Sequence, residues 1–127
     1  MRIFKILLAL AVLCIGFEAA AAQSVRFFSA MNDIPLMEGL DELEGQGFIF
    51  DKAEGRIGAL EAQSTHIKAA EALNYYATSL PQFGWAVKSK NPLTFRREGE
   101  QLVLNAQDTP QGLWLKIQIG PAQSGLF

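Results

Sequence analysis

The chain has 127 residues, half of them hydrophobic, with 11 Lys and Arg against 13 Asp and Glu and a formal net charge of −2. A charge so near balance gives no reason to expect a strongly acidic or basic ligand, and a single cysteine excludes an intramolecular disulfide framework.

Residues 1–22 read as a secretory signal peptide. Arg2 and Lys5 supply the positive start, residues 6–17 are unbroken by any charge, and Ala20 and Ala22 provide the small-residue cleavage site before Gln23. The apolar run of about 12 residues falls short of the roughly 20 that cross a bilayer as a helix. Glu18 closes it, so the expectation is a cleaved leader with no integral membrane segment left after cleavage. Leu13 stands before Cys14 where a lipidation signal needs a small residue, so no lipid anchor is expected. Removal of the leader leaves 105 residues, with nine basic and twelve acidic side chains and no cysteine. That is one small domain held by packing alone.

Residues 23–46 read as an irregular lead-in. Ile34, Leu36 and Met37 are apolar but interrupted by Pro35, and neither helical nor alternating periodicity persists. Regular structure is expected over residues 47–121, followed by a tail at 122–127. Phe48, Ile49 and Phe50 signal a strand, residues 52–55 a turn, and residues 56–63 a second strand paired back on it. Ser64 or Thr65 can cap a helix whose apolar stripe is Ile67, Ala70, Leu73, Tyr76, Ala77 and Leu80, ended by Pro81 and Gly84. Residues 85–88, 93–97 and 101–106 are further strand candidates. The clearest alternation is last: Leu113, Leu115, Ile117 and Ile119 on one face, Trp114, Lys116 and Gln118 on the other. The expected fold is a two-layer α+β domain, one helix on an antiparallel sheet of about five strands in the order ββαβββ.

Few residues suggest chemistry. His66 has no second histidine or remaining cysteine to complete a zinc set. Glu38, Asp41, Glu42 and Glu44 lack the spacing of a calcium loop. No nucleophile elbow or phosphate loop is present. Catalytic residues, cofactor and metal are therefore all expected to be absent, and the protein is expected not to be an enzyme. Charge is segregated: eight acids and two bases fall between Asp33 and Glu61, whereas Lys88, Lys90, Arg96 and Arg97 form a basic stretch free of acids. That stretch is a candidate basic patch. An acidic net charge and an export signal argue against nucleic acid as its partner.

Alternation places Trp114 on the sheet face away from the helix, with Val103 and Ile49 pointing the same way. Two readings follow: these residues form a contact surface, or the lead-in, with Leu36, Met37 and Leu40, packs over them and closes the core.

The chain also resembles a group of small exported bacterial proteins to which no function is assigned. The residues that carry the likeness are Ile34-Pro35-Leu36-Met37 with Gly39-Leu40, Phe50-Asp51-Lys52 with Gly55-Arg56-Ile57, Tyr75-Tyr76 with Leu80-Pro81 and Gly84-Trp85, and Phe95-Arg96-Arg97-Glu98-Gly99-Glu100. The resemblance implies an exported domain and supplies no catalytic residue. Together these readings give the expectation of a non-enzymatic interaction or accessory module of the bacterial cell envelope, periplasmic or secreted, with an envelope protein as partner. The alternative is a carrier of a small apolar ligand, with Tyr75, Tyr76, Phe48, Phe50 and Trp85 lining a cleft.

Overall fold

The computed structural model describes residues 24–122; the expected leader, its cleavage residues Ala20 and Ala22, and residues 123–127 lie outside the described residues. The expected five-stranded sheet with one helix is corrected. The chain is mostly strand, in two antiparallel sheets of two and seven strands, with one 15-residue helical segment.

The lead-in accounts for much of the difference. It is not irregular: β1 (Arg26–Phe28) and β2 (Met31–Leu36) form a hairpin, and β3 (Asp41–Glu42) joins the larger sheet. Pro35 is tolerated because β2 is paired on one side only, where a missing N–H costs no central ladder bond. A bulge between Phe27 and Phe28 breaks the periodicity that would have marked β1.

The larger sheet comprises β3, β4 (Phe48–Lys52), β5 (Gly55–Ser64), β6 (Ala86–Lys90), β7 (Leu93–Arg97), β8 (Glu100–Thr109) and β9 (Gly112–Pro121). Its order is β6-β7-β8-β9-β5, with β3 and β4 both on the outer edge of β5. The alternation in β9 sets the core. Leu113, Leu115, Ile117 and Ile119 are buried, and their register brings Leu60 and Ala62 of β5 and Leu102 and Leu104 of β8 onto the same face.

The helix α1 (Ala69–Ser79) covers that face and runs on as a 3₁₀ turn at Leu80–Phe83. It starts later than its sequence stripe suggested, and neither Ser64 nor Thr65 caps it. The Ser64 hydroxyl instead accepts the N–H groups of His66 and Ile67, both at 3.2 Å, while the Asp108 carboxylate accepts that of Ala69 at 2.8 Å. Ile67 thus sits buried ahead of the helix, and the inward stripe is Ala72, Tyr76 and Leu80, with Ala70 exposed. Pro81 is accommodated in the tighter turn, and Gly84 (φ 89°) takes the left-handed exit.

The hairpin lies on the helix side of the sheet, not on the helix-free side. Phe28, Met31, Ile34, Leu36 and Leu40 join the single core with Tyr76, Trp85 and Phe95. Tyr76 fastens the two: its hydroxyl donates to the Pro35 carbonyl at 2.8 Å and accepts the Met37 N–H at 3.3 Å. Burial pushes the phenol pKa far up, so it stays a donor. Tyr76→Phe strands a buried carbonyl and should cost about 1–3 kcal/mol. Urea unfolding measures that loss, and hydrogen exchange should quicken at Met37.

Candidate functional site

With helix and hairpin on one side, the other face of the seven-stranded sheet is where side chains remain available. The register fixes who stands there. Phe48 of β4, Ala59 of β5, Gln118 of β9, Val103 of β8 and Thr94 of β7 form one row across the sheet. Phe50 and Ile57 stand together in the adjoining row. Phe48 and Phe50 are 48% and 60% exposed and their rings touch, with centroids 5.6 Å apart.

Of the three residues expected to form a contact surface, the structure brings two onto this face. Trp114 is half-buried there, and Val103 lies in the central row but keeps only 6% exposure beneath its neighbours. Ile49 does not join them. It pairs with Gly58, on the core side, and its side chain lies so close over Gly58 that a Cβ there would overlap it. The parity of β4 is therefore opposite to the expectation, and the two phenylalanines that looked like core residues are the ones that face outward.

Trp114 stands at the far end of the face. It is opposite Gln63 on β5 and Gln107 on β8, and Asp41 of β3 continues the row beyond Gln63. Its indole N–H donates to Glu61 Oε1 at 3.2 Å. An open recess of about 520 Å³ lies beside it, bounded also by Thr65, Thr109 and Gln111.

The charged residues do not form two opposed patches. Asp33 on the hairpin receives two hydrogen bonds from Arg56, both at 3.0 Å, and one from Arg97 at 2.7 Å. Glu100 takes the other edge of the Arg56 guanidinium, at 2.9 and 2.8 Å. Arg97 also donates to the Phe83 carbonyl at 2.9 Å and lies over the Trp85 ring, 4.2 Å from its centroid. Burial alone would raise the Asp33 pKa, but the hydrogen bonds and charges of the two arginines outweigh it and hold the carboxyl below its ordinary value. Hydrogen bonds from Arg56 hold Glu100 down against the same burial. The cluster contains its own counter-charges and ties the hairpin to the sheet. It also removes Arg97 from the expected basic patch. Lys88, Lys90 and Arg96 remain exposed, but Arg96 stands on the helix-free face opposite Ala86, whereas Lys90 pairs with Leu93 on the core side.

The remaining candidates are dispersed. His66 is exposed, and the Ser64 hydroxyl lies 3.5 Å from its Nδ1. Glu42 is taken by the Ser29 N–H and hydroxyl, so the acids of the lead-in do not converge. Among the described residues no group of three His, Cys, Asp or Glu side chains could hold a metal ion, and no helix is long and apolar enough to cross a membrane. The five rings expected to line a cleft are separated: Tyr76 and Trp85 are core, Tyr75 stacks edge-on against Tyr76 at 5.0 Å, and Phe48 and Phe50 lie on the opposite face of the sheet.

Sequence reasoning placed Trp114 and Val103 on this face; it assigned Phe48 and Phe50 to a cleft and Asp41 to an acidic loop, and it singled out neither Gln63 nor Gln111. The pairing of β4 and β3 with β5, and of β5 with β9 beside the turn that carries Gln111, brings them together. Comparison with protein-family models, curated proteins and solved structures finds no match to this chain.

Proposed function

We propose that this chain is an exported, non-enzymatic contact module of the bacterial cell envelope, which meets an envelope protein through the helix-free face of its larger sheet. The observation that carries the reading is the exposure of Phe48 and Phe50, side by side with Ile57, on a face that neither the helix nor the hairpin covers. Paired exposed rings of this kind cost solubility unless something meets them. The leader-like first 22 residues support a meeting outside the cytoplasm.

Photo-crosslinking in the producing cells tests it. A photoreactive residue at position 50 should give one discrete protein adduct, and the same residue at Lys68, exposed on the helix side, should not. Phe48→Ser/Phe50→Ser should abolish the partner complex while moving stability by about 1 kcal/mol, since both side chains stand outside the core with about half of their surface in water. An identical adduct pattern from both positions, or none from position 50, would refute the contact. Intact mass of the exported protein checks the compartment: it should begin at Gln23, and a species retaining residues 1–22 would place it elsewhere.

A further inference from the structure

The Trp114 end of the helix-free face has a different chemistry from the phenylalanine end. Gln63 and Ala59 lie four residues apart on β5, so the two ends are separated by about 13 Å. We propose that the recess beside Trp114 is a binding subsite for a neutral pyranose unit of a glycan. The assignment goes beyond the protein contact proposed above and does not depend on it.

Three observations converge. First, the indole is held: with its N–H on Glu61, the polar atom of the ring is satisfied and its orientation is fixed. A fixed ring offers an apolar surface of a shape that stacks against the C–H face of a pyranose. Second, the groups around it are polar and unpartnered. Among the described residues the side chains of Asp41, Gln63, Thr65 and Gln111 make no hydrogen bond within the protein, although all four border the recess. A carboxylate can accept from two neighbouring hydroxyls, and each amide both accepts and donates, which matches the mixed demand of a sugar hydroxyl. Third, the recess is about 520 Å³, within the range of about 300–1,000 Å³ that small-molecule sites occupy.

The same features argue against other ligand classes. Asp41 and Glu61 disfavour an anion, no cationic side chain among the described residues borders the recess, and Lys116 stands directly across the strand pair from Glu61. An apolar ligand would leave four hydrogen-bonding groups desolvated without partners, each at a cost of about 1–3 kcal/mol.

The test uses protein purified from the producing cells and a panel of neutral tetrasaccharides: chitotetraose, cellotetraose and maltotetraose. A tetragalacturonate and an extended decapeptide serve as the other arms. Binding is read by calorimetry and by the indole N–H resonances, with buried Trp85 reporting that the fold is intact. At least one neutral tetrasaccharide should shift the Trp114 resonance and leave that of Trp85 in place. Trp114→Ala should weaken its binding about tenfold or more, and Gln63→Ala/Gln111→Ala, which removes hydrogen bonds while sparing the ring, about fivefold or more. The assignment is overturned if no neutral tetrasaccharide moves the Trp114 signal at millimolar concentration. It is equally overturned if the tetragalacturonate or the peptide binds there instead, or if both variants bind as the parent does.

Discussion

Leu115→Ala is expected to cost about 3–5 kcal/mol, the upper part of the range for leucine truncation in a core. Leu115 is fully buried at the middle of β9, and the residues beside it on the same face are both small: Ala62 on β5 and Ala106 on β8. Ala72 is the buried alanine of the helix that crosses this face. Alanines have no side-chain freedom with which to fill a void, so the space left by the isobutyl group stays empty. A margin of about 5–15 kcal/mol is normal for a domain, so a large share of it would go. Urea unfolding should show a lower midpoint with an unchanged slope. A loss under about 1 kcal/mol would mean that the helix can settle onto the sheet, against the packing described.

Arg56→Ala should be the next most damaging change, at about 2–3 kcal/mol, because it leaves the carboxylates of Asp33 and Glu100 without their principal partner. Side-chain exposures of 15–30% at these residues keep the figure below that of a fully buried pair. The pH dependence separates this from a packing effect. Asp33 and Glu100 are both held below their ordinary values, so the unfolded chain takes up protons first as pH falls. Their contribution is complete at neutral pH, begins to fade near the ordinary carboxylate range of about 4, and is gone below the folded-state values. The stability gap between parent and Arg56→Ala should therefore be widest at pH 7 and narrow steadily below about pH 4. A gap that stays constant down to about pH 2.5, more than a unit below ordinary carboxylate values, would assign the loss to packing.

What could be read from the sequence followed how local the signal was. The β9 alternation was legible because Leu113, Leu115, Ile117 and Ile119 are buried and the residues between them are not. The helix was legible as an element, but its start was not. Asp108, 39 residues away, supplies the first hydrogen bond to its N-terminus, and no local pattern announces that. The strands of the lead-in were hidden because β1 and β3 span three and two residues and β2 contains a proline. Such segments earn their geometry from partners, not from propensity.

The phenylalanines of β4 show the limit most sharply. Large rings read as core, and Ile49 between them read as the outward residue. Pairing with β5 reverses this by one position: Ile49 falls opposite Gly58, whose lack of a side chain leaves room for it on the core side. The candidate sugar subsite was legible only at Trp114. Its polar members come from β3, β5 and the turn between β8 and β9, which share a surface only after the register is set.

The placement of β5 next to β9 also sets an order of events during synthesis. Glu61 lies opposite Lys116, so β5 leaves the ribosome long before its principal partner exists. The run from β6 to β9 is a meander of neighbouring hairpins, whose contacts are near in sequence and quick to close. Until β9 is finished, however, Leu60 and Ala62 have only the short β3 and β4 beside them and no complete sheet to enter. An unfinished chain is therefore held back from its native state by its last long strand. The consequence is an interval in which the apolar face of β5 stands uncovered beside an incomplete sheet, the state in which a folding chain is most exposed to wrong contacts.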